Sequence, residues 1–386
     1  MRILIIHNYY QDKGGEDTVF EQESQLLAQK HEVKTIKFKN KKGVEGLLQF
    51  LLYPYNFSQI SNLKEDIKAF NPDIAHVHNT HYAIGPIVFR ILYNLKIPTV
   101  FTLHNYRLLD PSATLFHDGT VFTDTITKKF PWKSVKNKVL DNSLIKTFVT
   151  AFTYWLHKKL HTWQHIDTYL TFSNFMRNLI LASSLDIRES QICIKPNAIR
   201  QIVNTNVTMR TKDFVFIGRL TEEKGLHIIL EAFSKSNFTI KIFGTGPLEN
   251  VVREFANKHR NIIYQGFQNK ETIYKELAIA QALIVPSIWF EGMPMTVIES
   301  FSLGTPVIAS DIGILKEMIV EKYNGSKFEA NNYKSLIEKL TIWTNIDDEE
   351  KSNICKNCLD DFLEKYEADK NIELLEQIYI DTIAKK

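Results

Sequence analysis

The chain has 386 residues, beyond the size at which one hydrophobic core keeps growing, and its 44% hydrophobic and 24% charged residues supply two cores and no disordered block. A formal charge of +3 is too small to mark a nucleic-acid binder, and three cysteines give no disulfide framework. MRILIIH runs straight into polar residues and no apolar run approaches the roughly 20 residues of a membrane span, so a cytoplasmic protein without a secretory leader is expected.

RILIIH (2–7) reads as a buried strand, followed by a turn at Gly14 and Gly15. In EDTVFEQESQLLAQK, Val19, Phe20, Leu26 and Leu27 recur at seven-residue intervals, as on one face of a helix. EVKTIKF, 73–79 and 98–105 are further strands, with a helix from about 85 to 95 between the last two. Strands alternating with helices predict a parallel sheet wound on both faces, with ligands bound beyond the carboxyl ends of its strands. An aromatic helix over 147–166, the strand TYLTF and a helix starting near Ser173 complete the first half. The polar stretch 193–213 has no helical period and marks the linker.

The second half restarts the alternation: DFVFIGRL, helix 224–235, TIKIFGTG, helix 247–258, NIIYQGF, helix 270–280, ALIVPS, helix 294–303 and PVIAS. The predicted organisation is α/β: a Rossmann-like domain over 1–195, a linker over 196–212 and a second Rossmann-like domain over 213–365. A terminal helix over 366–386 would cross back to pack Ile372, Leu375, Tyr379 and Ile383 on the first domain. A cleft between the facing strand ends is the expected active site.

FEGMPMTVIES (290–300) carries the sharpest chemical signal. Pro294 suits the first turn of a helix and Gly304 with Pro306 its end, which leaves Glu291 on the loop after a strand and Glu299 inside the helix. The first amides of such a helix, at Met295, Thr296 and Val297, form a donor cluster suited to phosphate. GRLTEEKG sets Arg219 at a strand end and Lys224 near a helix start, a planar fork and a mobile point charge for phosphate oxygens. Two carboxylates flanking a diphosphate site can accept from two sets of hydroxyls, those of a sugar and those of a ribose.

Other signals point to ordinary structure. Cys355 and Cys358 lack the second pair a zinc site needs, and GTGPLE lacks the third glycine of a dinucleotide fingerprint. His157, His161 and His165 fall at four-residue spacing on one helix face without an accompanying carboxylate. KKFPWKSVKNK (128–138) sets five lysines around Trp132; such runs are usually solvated faces, although this composition also suits an anionic membrane surface.

Across nearly its whole length the chain resembles the retaining glycosyltransferases of the GT-B fold, in the large family 4 that includes bacterial surface-polysaccharide enzymes. The segments concerned are HNYYQDKGGEDTVFEQESQLL, NPDIAHVHN, PTVFTLHNYRLLDPSATLFHDG, SNFMRN, IKPNA, FIGRLTEEKG, IFGTGPLEN, PSIWFEGMPMTVIESFSLGTPVIASD and YNG. The resemblance implies two Rossmann-like domains facing each other across a cleft. It implies that Glu291 contacts the donor sugar, Glu299 the ribose, and Arg219 and Lys224 the diphosphate. Gly292, Met293, Pro294, Met295 and Thr296 would add contacts from the helix start, and Gly14 and Gly15 from the first domain. Phe267 would border the base, and His104 would line the cleft near the anomeric carbon. It further implies a nucleotide-diphosphate sugar (UDP or GDP) as donor and a glycan or polyprenyl-linked acceptor, with no cofactor or metal. Lys128, Lys129, Trp132 and Lys133 are candidates for the acceptor or membrane contact. Relatives often carry cysteines after TLHNYRLL and after the DG turn, where this chain has Asp110 and VFTDT. The alternative reading is a non-catalytic subunit of the same fold that binds a partner.

Overall fold

A computed structural model describes residues 1–11, 14–202 and 210–385. The first sheet contains β1 (Arg2–Tyr9), β2 (Glu32–Lys39), β3 (Ile74–Val77) and β4 (Thr99–Thr102). A short antiparallel hairpin, β5 (Phe116–His117) and β6 (Thr120–Val121), lies apart from it. β7 (Thr168–Thr171) and β8 (Ile192–Ile194) complete the sheet, in the order β2-β1-β3-β4-β7-β8 with every pairing parallel. β3, β4 and β7 are buried along their length, and so is β1 from Ile3 to Asn8, as strands covered on both faces by helices must be.

The second sheet repeats the plan. β9 (Asp213–Ile217), β10 (Thr239–Phe243), β11 (Ile262–Gly266), β12 (Leu283–Val285), β13 (Val307–Ser310) and β14 (Gly325–Phe328) lie in the order β11-β10-β9-β12-β13-β14. In each sheet the chain first winds one way and then returns to the starting strand to wind the other. The reversals fall between β1 and β3 and between β9 and β12, and the loops leaving those strands diverge there to open a crevice.

Two compact units result: residues 1–115, 122–197 and 371–386 form one, and 116–121 with 198–370 form the other. The helix Ala368–Ala384 anchors in the first unit through Tyr379 Oη to His76 Nδ1 (2.7 Å), Thr382 to Thr168 (2.8 Å) and Glu376 to His31 (2.9 Å). The middle of the expected linker, residues 203–209, lies outside the described residues. Of its described flanks, 196–197 belong to the first unit and 198–202 with 210–212 to the second. Arg210 donates to the carbonyls of Ala278, Ala280 and Gly304, and Ile202 N–H donates to Ser302 Oγ.

Some expected elements differ. The aromatic helix spans Leu144–Lys159 and stops before His161, whose φ is +54°, so His157, His161 and His165 do not share a helix face. His157 is buried and bonded to Thr162 and to the Pro54 carbonyl, a structural role. Helices Gly43–Leu52 and Phe57–Phe70, the hairpin, β8 and β14 add to the expected elements; the hairpin, β8 and β14 are too short to carry a readable pattern, whereas both helices carry a helical stripe. Among the described residues no helix is long and apolar enough to cross a membrane.

Candidate functional site

In the second unit the site grows from the two strands at the switch point. β9 ends at Ile217 and delivers Arg219 and Lys224; β12 ends at Val285 and delivers Ser287 and Glu291. The two loops are locked together. Gly225, with φ +69°, lets the backbone pass so close to Pro286 that an added Cβ would lie 1.9 Å from its carbonyl oxygen, and Ile288 N–H donates to the Glu223 carbonyl (3.0 Å). That contact sets Lys224 beside Glu291: Nζ lies 2.7 Å from Oε1, which also accepts from Ser287 Oγ at 2.6 Å. Glu291 is buried, and burial alone would raise its pKa, but Lys224 and Ser287 outweigh it and hold the carboxyl below its usual value. Sequence reasoning placed both charges at the site but not in contact, because 67 residues separate them.

The helix predicted from Pro294 to Leu303 spans Met295–Ser302, with Pro294 as its cap and Gly304, φ +63°, behind its end. The Val297 amide, expected to be a free donor, is taken by the Pro294 carbonyl at 3.1 Å. Glu299 sits one turn inside and accepts from Tyr274 Oη at 3.1 Å, with Lys270 at 3.9 Å; burial raises its pKa, and those partners oppose the shift. Neither Tyr274 nor Lys270 stands out in the sequence. Gly292, Met293, Pro294, Met295 and Thr296 follow Glu291 directly into this helix. Arg219 is largely exposed, 4.0 Å from Glu223, and Phe267, on the loop after β11, is 77% exposed.

In the first unit the helix Gly15–Leu27 follows β1, with Gly14 as its cap. The Gly14 N–H donates to Asp17 Oδ2 at 2.8 Å, and the other oxygen of Asp17 pairs with His7 Nε2 at 2.6 Å. One of the expected glycine donors is therefore engaged inside the protein. A side chain at Gly14 or Gly15 would meet nothing within 4 Å among the described residues, so the pair leaves room for close approach.

His104 follows β4 and belongs to a buried relay that sequence reasoning missed. His104 Nε2 lies 3.1 Å from His78 Nδ1, His78 Nε2 lies 3.6 Å from Glu23 Oε2, and Lys195 Nζ holds Glu23 Oε1 at 2.6 Å. Burial would raise the Glu23 carboxyl; Lys195 and the nearby imidazoles bring it below its usual value. One imidazole donates to the other across the 3.1 Å contact; a proton on His78 Nε2, the nitrogen facing Glu23, would leave His104 donating through Nε2 with Nδ1 as an acceptor for a hydroxyl. Burial, reinforced by His7 and Lys195, pulls the pKa of His104 down to about 3, which keeps it neutral. Glu23, His76 and His78 also bring metal-ligand atoms within 4.8 Å of one another. They fit a metal poorly, because both His76 nitrogens are bonded, to Tyr379 and Thr102, and Lys195 sits on Glu23.

Lys128 and Lys129 line a pocket of the first unit with Arg107, Tyr154, Trp155 and Lys158. Its loop is ordered without the cysteines that relatives carry: buried Asp110 accepts from Thr125 Oγ1 (2.8 Å) and Ser134 Oγ (2.5 Å). Trp132 is 57% exposed, and Lys133 pairs with Asp124 at 2.8 Å.

Two doubly wound parallel sheets, one with a half-buried lysine paired to a buried glutamate at its switch point, define a GT-B-type α/β protein. The chain belongs to the family 4 glycosyltransferases: residues 13–200 match Glycosyltransferase Family 4, and residues 199–358 match Glycosyl transferases group 1. It is 28% identical over 193 residues to O-antigen chain mannosyltransferase C of Escherichia coli, covering 48% of this chain and 51% of that one. It is 24% identical over 224 residues to the UDP-Gal:alpha-D-GlcNAc-diphosphoundecaprenol alpha-1,3-galactosyltransferase of Escherichia coli, covering 55% and 56%. The matches thus span about half the length of these curated relatives. Among solved structures, HepE of Anabaena in complex with UDP superposes with a TM-score of 0.70 at 13% identity, over 99% of this chain and 100% of that one. The sucrose-phosphate synthase of Thermosynechococcus elongatus also gives 0.70, at 14% identity and full coverage of both chains.

Proposed function

We propose that this protein is a retaining, metal-independent glycosyltransferase. It would move a sugar from a UDP- or GDP-sugar to a glycan or polyprenyl-linked acceptor in the synthesis of a cell-surface polysaccharide. The observation that carries the reading is the pair of half-buried Lys224 and buried Glu291 at the switch point between β9 and β12. Lys224 gives one N–H to Glu291 and keeps two for phosphate oxygens, while Arg219 adds an exposed guanidinium from the same loop. Glu291, ionised and held in place, accepts from hydroxyls of the donor sugar. Glu299, oriented by Tyr274, accepts from the ribose, and Phe267 borders the base. On the family resemblance, Gly14, Gly15 and His104 serve the same donor.

In this scheme the bond from the anomeric carbon to the diphosphate oxygen breaks while the acceptor oxygen bonds that carbon from the same face. The acceptor's proton passes to the departing phosphate oxygen. Fixed positive charge from Arg219 and Lys224 stabilises the negative charge that develops there, the largest contribution the protein makes and one that needs no metal. The names of the two Escherichia coli relatives support an O-antigen-type or lipid-linked glycan as acceptor, and the UDP held by HepE supports a nucleotide donor. A lipid-linked acceptor places the protein at the inner face of the cytoplasmic membrane, with Lys128, Lys129, Trp132 and Lys133 at the acceptor or lipid side.

The test is Glu291→Gln. The side chain keeps its size and loses its charge, so transfer to a lipid-linked acceptor is expected to fall about a hundredfold or more, with the far-UV spectrum unchanged. Turnover within a few-fold of the parent would remove Glu291 from its role.

A further inference from the structure

The helix Gly43–Leu52 does the opposite of what an amphipathic helix in a folded domain does. Val44, Leu47, Leu48 and Leu51 recur at the spacing of one helix face and are 76%, 57%, 53% and 63% exposed, with Phe57 beyond them at 69%. None of the helix's residues is buried. The helix is held from its other side: Gln49 accepts from the Lys41 N–H and donates to the Lys39 carbonyl, and the Phe50 ring sits 5.7 Å from Tyr82. The exposed stripe is therefore fixed in place.

What borders it identifies the partner. Five lysines lie between residues 34 and 42, and Lys37, Lys39, Lys41 and Lys42 are exposed. The helix contributes one acidic residue, Glu45, already paired with Lys41 at 2.8 Å. Lysines on β2, an edge strand, discourage strand pairing, but that accounts for neither Lys41 and Lys42 beyond the strand nor the leucines beside them. An apolar face rimmed by cations matches an anionic lipid surface, with leucines entering the acyl boundary and lysines at the headgroups. At ten residues the helix is about 15 Å long, enough to lie in the interface and half of what is needed to cross it.

We infer that the helix Gly43–Leu52 docks this protein on anionic membrane. This contact is distinct from the Lys128–Lys138 segment, although the turn after the helix and that segment both border the helix Leu144–Lys159. Phe57 lies 4.6 Å from Tyr55, which stacks at 6.4 Å on His157 near the end of Leu144–Lys159, and Ile145 and Phe148 are exposed at that helix's start.

The experiment is co-sedimentation of the full chain with vesicles of neutral phosphatidylcholine, alone or with about a third phosphatidylglycerol. These vesicles carry no glycan, so the result is independent of whether the protein transfers sugar. Binding is expected only to anionic vesicles and is expected to weaken with salt. Leu47→Asn, Leu48→Asn and Leu51→Asn together are expected to reduce it at least tenfold. Lys39→Gln, Lys41→Gln and Lys42→Gln together are expected to reduce it roughly a hundredfold, about fivefold for each lysine. The leucines are exposed, so melting should be unchanged, and an unchanged melting curve shows that the variant has folded. Undiminished binding in the leucine variant overturns the inference. So does equal binding to neutral vesicles, or sedimentation velocity showing a vesicle-free dimer that the leucine changes abolish, which assigns the face to a second copy of the chain.

Discussion

Lys224→Met tests the site's electrostatics most sharply. The substitution keeps the length of the side chain and removes the cation 2.7 Å from Glu291, leaving that buried carboxylate with neutral donors such as the Ser287 hydroxyl and Trp289. Breaking a buried pair from one side costs about 3–5 kcal/mol, and the 20% exposure of the Lys224 side chain favours the lower end. Glu291 can limit the loss by binding a proton. From an unfolded value near 4.3, that costs about 1.4 kcal/mol per pH unit, hence about 3.7 kcal/mol at pH 7 and about 1 kcal/mol at pH 5. The pH dependence therefore changes sign at this residue. In the parent the Glu291 pKa is lowered, so its stabilisation is present above the unfolded value and is lost as pH falls through the folded one. In the variant the pKa is raised, and stability falls as pH rises above about 4.3. Urea unfolding followed by far-UV circular dichroism should show a deficit near 3 kcal/mol at pH 7 that shrinks to about 1 kcal/mol at pH 5. Adding Glu291→Gln should recover most of it. A deficit below about 1 kcal/mol at pH 7, or one independent of pH, would refute the reasoning.

Other perturbations follow from the same contacts. His76, His78 and His104 have pKa values depressed by burial, so stability is full above about 6.5 and is lost as pH falls, by about 1.4 kcal/mol per pH unit for each proton taken up on unfolding. His78→Gln should remove one proton from that slope between pH 6.5 and 5; an identical slope would argue against a buried neutral imidazole. Gly225→Ala forces a left-handed φ and drives a Cβ into the Pro286 carbonyl, so about 2 kcal/mol or more should be lost from the second unit's unfolding transition, and an unchanged midpoint would contradict the close approach. Replacing Lys128, Lys129, Lys133, Lys136 and Lys138 with glutamine should lower turnover of a lipid-linked acceptor while sparing hydrolysis of the free donor; equal loss of both would tie the segment to something other than the acceptor.

Much of the architecture was legible because buried parallel strands are continuous apolar runs. RILIIH, TYLTF and ALIVPS announce themselves, and Glu291, Arg219 and Lys224 could be placed because each follows such a run closely. Helix Gly43–Leu52 escaped for the converse reason: GLLQFLL carries a helical stripe, but no buried partner stood in the sequence to give it meaning. Pairings across long separations were also hidden. Glu23 and Lys195 meet across 172 residues, and Tyr274 reaches Glu299 from another helix, so neither pair has a local signature. Asp110 shows a further limit, since nothing in the sequence pairs this carboxylate with Thr125 and Ser134, the two hydroxyls with which it organises the loop.

Calorimetric titration of the full chain with UDP and with GDP, repeated on Arg219→Ala and Lys224→Ala, bears most directly on the proposal that the second unit grips a nucleotide diphosphate. One nucleotide is expected to bind at one site per chain, and each substitution is expected to weaken it about tenfold or more. Absence of heat with both nucleotides, or affinities that survive both substitutions, would contradict it.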